Sequence, residues 1–179
     1  MRSSVIKKGT WLASFMLAVC LCAHAEVKLP AIFSDGMVMQ QQTKANLWGT
    51  STPNKKITVT TGWNGKQYAA TADKNGAWQL SVSTPEAGGP YSITFNDGSK
   101  KTLNNILIGE LWLCSGQSNM EMPMKGFKNQ PVENANMDIL RSKNPNIRLF
   151  TVKRTSTFTP QTDVVGTWMI SFSYAYFRI

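Results

Sequence analysis

The chain has 179 residues, 19 basic and 10 acidic, giving a formal net charge of +9. The charges come as scattered singles and pairs such as Lys55-Lys56 and Lys100-Lys101, with no basic run or basic helix face. That balance argues for solubility and weak anion attraction and against a nucleic-acid-binding surface.

The chain opens with a leader pattern. "MRSSVIKKG" carries Arg2, Lys7 and Lys8 and no acid, "TWLASFMLAVCLC" is apolar, and "AHA" (Ala23, His24, Ala25) precedes Glu26. A basic start, a short apolar run and a small-x-small end make a secretory signal peptide over residues 1–25, too short in its apolar part for an ordinary membrane span. Cleavage after Ala25 is the expected processing, with a retained or lipidated anchor as the alternative. The expected location is therefore secreted or periplasmic, with no membrane partner after cleavage. Cleavage would also remove Cys20, Cys22 and the chain's one histidine, His24. Cys114 would then stand alone, either as a buried structural thiol or as a reactive one.

Residues 26–105 read as an all-β domain. "KITVTT" places Ile57 and Val59 at period two, the signature of a half-buried strand. Asn64-Gly65, Asn75-Gly76 and Asp97-Gly98 each sit between strand-like segments. Such pairs accept the positive φ that tight hairpin turns require. Gly88-Gly89-Pro90 reads as a break before a strand at Tyr91, Ile93 and Phe95. Short strands punctuated this often suggest a small β-sandwich. Trp48, Trp63 and Trp78 are candidates either for its core or for a sugar-stacking surface.

The texture changes near residue 106. "ILIGELWL" is nearly continuous in its apolarity, which predicts a strand covered on both faces, as in a parallel α/β sheet. "VENANMDILRS" has helical spacing of Val132, Ala135 and Ile139, and "NIRLFTV" reads as the next strand. Residues 106–179 thus predict the beginning of an α/β domain, too short to be a whole one.

The apolar run ends in "CSGQSNM", a strand delivering a serine to a sharp turn. A serine hydroxyl needs a general base and donors aimed at the developing oxyanion. Gly116 permits the turn, Ser118 is the candidate nucleophile, its own N–H is a candidate oxyanion donor, and Asn119 is a nearby polar group. Met120 stands where the Gly-x-Ser-x-Gly elbow has its last glycine, so that elbow is excluded. Taken bare, a Gly-Gln-Ser-Asn turn is more commonly a plain loop.

Four segments appear together and in order: "LPAIFSDGMVMQQ", "LWG", "GGPYSITF" and "IGELWLCSGQSNMEMPM". In this the chain resembles the sialate O-acetylesterase family, secreted carbohydrate esterases of the SGNH-hydrolase type, over roughly residues 27–168. The resemblance implies a β-sandwich-like N-terminal domain followed by the start of a flavodoxin-like α/β hydrolase domain. It implies Ser118 as nucleophile and backbone oxyanion donor, an O-acetylated sialic acid or related sugar as substrate, and no metal or organic cofactor. The family's histidine and aspartate, in an Asp-x-x-His motif, have no counterpart here, nor have its further glycine and asparagine oxyanion donors. The chain is therefore expected to be a C-terminally truncated member, inactive alone, with residues 106–179 poorly stable. A non-catalytic carbohydrate-binding β-sandwich using Trp63 and Trp78 is the alternative. An assembly protein is a third possibility.

Overall fold

The computed structural model describes residues 26–171. The leader pattern over residues 1–25 lies outside the described residues.

Seven strands build the N-terminal part: β1 (Val38–Gln40), β2 (Lys44–Thr50), β3 (Lys56–Thr61), β4 (Gln67–Thr71), β5 (Ala77–Ser83), β6 (Gly88–Asn96) and β7 (Lys100–Gly109). Five form one sheet in the order β1-β7-β6-β3-β4, and β2 and β5 form a separate antiparallel ribbon. One core lies between them. β3, β6 and β7 contribute Ile57, Val59, Ile93, Phe95, Leu103 and Ile106, and the ribbon contributes Leu47, Trp78 and Val82. The alternation of Ile57 and Val59 on β3, and of Ile93 and Phe95 on β6, is that of strands with one face on a core.

The turns do three different jobs. Asn64-Gly65 joins β3 to β4, with Gly65 at φ 66°. The Asn64 side chain accepts from the buried Thr61 hydroxyl and the Lys66 amide. Asp97-Gly98 joins the antiparallel pair β6 and β7, with Gly98 at φ 114°. Asn75-Gly76 carries the chain from β4 in the large sheet to β5 in the ribbon, so it is a corner and not a hairpin. The predicted break at Gly88-Gly89-Pro90 falls inside β6, which starts at Gly88 and shifts register against β7 before Ile93. The inward phase on β7 changes with it: Leu103 is buried, then Ile106 and Ile108. Asn105 lies between them at φ 57°. An extra residue in a left-handed conformation is how a bulge moves a strand's inward positions by one.

Residues 106–109 belong to this β assembly. They pair with β6 and, in parallel, with β1, through Val38↔Leu107, Met39↔Ile108 and Gln40↔Gly109. Beyond Gly109 the chain is irregular, and Leu111, Trp112 and Leu113 are 47%, 81% and 96% exposed. The expected strand covered on both faces is therefore not formed past Gly109. Continuous apolarity predicts burial only where another element supplies the cover. Cys114 is exposed as well, which overturns the buried-thiol reading.

The remainder is sparse. A 3-10 turn (Ser118–Glu121) precedes a two-residue hairpin of β8 (Gly126–Phe127) and β9 (Gln130–Pro131). The predicted helix appears as α1 (Ala135–Arg141). The predicted strand appears as β10 (Asn144–Phe150), paired antiparallel with β11 (Trp168–Ser171) and not in a parallel sheet. Trp168 anchors this pair to the β assembly. Its indole N–H donates to the Ile32 carbonyl at 2.8 Å, and its ring packs on Phe150 and the core. Asp163 also accepts from the Ala31 amide at 2.9 Å. The described structure is thus mostly β with one short helix.

Close packing of the ribbon yields a first prediction. Gly49 lies opposite Trp78, and a Cβ there would collide with the Lys28 carbonyl oxygen and press the Trp78 ring at 3.0 Å. Gly49→Ala should destabilise by about 1–3 kcal/mol, the usual cost of overpacking. A lowered urea midpoint with unchanged slope checks it. An unchanged midpoint would mean the backbone at Lys28 yields freely.

Candidate functional site

Ser118 opens the 3-10 turn and is exposed. The turn is closed by the Met120 amide donating to the Gln117 carbonyl at 3.0 Å. Gly116 suits the entry because a Cβ there would fall 2.8 Å from the Met120 side chain. A serine hydroxyl at the tip of a tight, solvent-facing turn has the access a nucleophile needs. Among the described residues it has no histidine to serve as base, the chain's single histidine being His24. The Asn119 side chain lies outside the described residues.

Glu121 closes the same turn and pairs with Arg154. Both side chains are largely exposed, so the pair tethers the turn to the extended segment before β11 only weakly. This pair was not legible from motif spacing, since it joins residues 33 positions apart through long flexible side chains.

A more ordered cluster stands where the chain leaves β7 for Ser118. Both Glu110 carboxylate oxygens accept from glutamine side chains, Oε2 from Gln40 at 3.0 Å and Oε1 from Gln41 at 2.6 Å. Gln40 Oε1 in turn accepts from the Leu111 amide at 2.8 Å, and Gln41 Oε1 from the Ala87 amide at 2.8 Å. The Gln41 and Gln40 bonds, in that order, hold the Glu110 carboxyl below the usual glutamate pKa, against a small opposing effect of burial. A depressed folded pKa means stabilisation that is present above the ordinary glutamate range and lost as pH falls through the folded value. A carbon NMR titration of the Glu110 carboxyl should show a midpoint below that of an unstructured glutamate. A midpoint at or above it would mean the two amide donors are not engaged in solution.

The tryptophans separate. Trp78 is only 3% exposed and packs against Phe95 at 6.0 Å between ring centres. It is therefore a core residue and unavailable to stack on a sugar. Trp63 is partly buried against the core, donates its indole N–H to the Ser83 carbonyl, and meets Tyr91 edge-on. Trp48, 37% exposed, stands edge-on to Phe33. Among the described residues no group of three or more His, Cys, Asp and Glu side chains is placed to hold a metal ion. Nor is any described helix long and apolar enough to cross a membrane.

No family model matches the chain. Individual proteins do. Sialate O-acetylesterase of Pongo abelii is 26% identical over 149 residues, 78% of this chain and 28% of that protein. The Homo sapiens sialate O-acetylesterase is 27% identical over 119 residues, 61% of this chain and 23% of its own. Among solved structures, a carbohydrate acetylesterase from Xanthomonas citri superposes with a TM-score of 0.74 at 28% identity, covering 83% of this chain and 33% of that one. The chain thus spans between about a quarter and a third of the length of these proteins.

The described fold is accordingly similar to the matching third of a carbohydrate acetylesterase. The curated proteins to which the chain is similar are all sialate O-acetylesterases, in keeping with the resemblance carried by the order of its motifs.

Proposed function

We propose that this chain carries the nucleophile-bearing part of a secreted or periplasmic serine esterase acting on O-acetylated sialic acids or related sugars. Residues 26–109 form its β-sandwich-like domain, and the residues after Gly109 begin its SGNH-type hydrolase domain. Ser118 Oγ attacks the acetyl carbonyl, the sugar oxygen leaves with a proton, and water then releases acetate from the acyl-serine. The Ser118 N–H is one donor to the oxyanion. The observation that carries this reading is an exposed serine in a tight turn, in a chain whose similar proteins are acetylesterases. The histidine base and its aspartate that the resemblance implies have no counterpart among the residues of this chain. The chain alone is therefore inactive.

Acetate release from an acetylated sialic acid, compared between the chain and Ser118→Ala, tests this. Both should stay at the uncatalysed rate, because loss of the base alone typically costs orders of magnitude. Turnover at ordinary enzyme rates that vanishes in the variant would reveal a base within this chain. The alternative, a carbohydrate-binding module using Trp63 and Trp78, is weakened by the burial of Trp78.

A further inference from the structure

We infer that Gln40, Gln41 and Glu110 form a clamp that sets the direction in which the chain leaves the β assembly toward Ser118. Its members come from two places in the sequence, about 70 positions apart. They meet because β1 and β7 run parallel and end together, with Gln40 opposite Gly109 and the Gln41 amide donating to the Gly109 carbonyl at 2.9 Å. One carboxylate receives two amide donors. The same two glutamines fix the Leu111 amide on one side and the Ala87 amide on the other. Glu110 is the first residue beyond the ladder, so the bond from the Leu111 amide fixes the first free peptide, Glu110–Leu111, of the segment leading to Ser118. The next residues, Trp112 and Leu113, have no such restraint and are largely exposed. A charged acceptor with two neutral donors is stronger than an ordinary amide pair. Gln40, Gln41 and Glu110 are positioning residues: none needs to touch substrate.

Calling this a positioning role rests on the proposed nucleophile reading of Ser118, but its test needs no turnover. In the full chain, labelled with nitrogen-15, Gln40→Met removes the acceptor of the Leu111 amide. Leu111 exchange should then accelerate about fivefold, the factor implied by one ordinary net hydrogen bond. Ala87 exchange should be unchanged, and the heteronuclear NOE of residues 111–114 should fall. Glu110→Gln should act similarly, since a single carbonyl oxygen replaces two acceptors. The double swap Gln40→Glu with Glu110→Gln can rebuild every bond, with Gln at 110 donating to Glu at 40 while still accepting from Gln41. It should restore the protection. Leu111 exchanging at its intrinsic rate in the unaltered chain would overturn the clamp, as would a double swap that behaves like Glu110→Gln alone. Failure of the nucleophile reading shows elsewhere, as Ser118-independent turnover in a completed enzyme with the Leu111 protection intact.

Discussion

Ser118→Ala is expected to lower acetate release by about 10,000-fold or more in a hybrid enzyme where this chain replaces the matching part of the Xanthomonas citri acetylesterase. The hybrid is the right context because the chain's single histidine lies in the leader pattern, leaving none to serve as base for Ser118. The matching part is defined by a superposition covering 83% of this chain and 33% of that one. The loss should fall on kcat and kcat/KM alike, since the alanine removes a bond made only as the reaction proceeds. A loss confined to KM would make Ser118 a binding residue. An exposed hydroxyl at a turn contributes little to folding, so the variant's stability should match that of the unaltered hybrid.

Phe95→Ala is expected to destabilise the chain by about 3–5 kcal/mol, the range for removing a large aromatic from a packed core. Phe95 is fully buried on β6 and touches Trp78 of the ribbon, so it bridges the two sheets. The cavity would sit where the layers meet and neither sheet can collapse alone to fill it. The Trp78 indole N–H already lacks a hydrogen-bond partner among the described residues, so water entering the cavity would recover part of the cost. For a chain of this size the melting temperature should fall by on the order of 10 °C. Phe158→Ala is the control, because Phe158 is wholly exposed and should shift nothing measurable. Equal effects at the two positions would mean that the sheets do not share a core.

Local features of the chain were legible in advance. Ile57, Val59, Ile93 and Phe95 reveal their inward faces through period two, and the Asn-Gly and Asp-Gly pairs mark turns because few other residues accept positive φ. Helix α1 was legible from the helical spacing of Ala135 and Ile139, though Val132 falls outside it, and strand β10 from the apolar run that ends it. What escaped was nonlocal. Nothing near Asn75-Gly76 says that the strands on either side join different sheets. The pairing of β1 with β7 spans about 70 residues, and the clamp at its end depends on it. The run Leu111–Cys114 misled because composition records a side chain's preference for burial but not whether a covering element exists. The turn at Ser118 was legible because a tight turn leaves a local trace, Gly116 followed by polar residues, whereas the nucleophile role came only from the resemblance.

The nucleophile assignment is tested most directly by looking for the acyl-enzyme. The hybrid, mixed with acetylated sialic acid, quenched rapidly in acid and digested, should yield an acetylated peptide carrying the modification on Ser118. The Ser118→Ala hybrid should yield none. Acetyl on any other residue of a hybrid that turns over, or full turnover by the Ser118→Ala hybrid, would contradict Ser118 as the nucleophile.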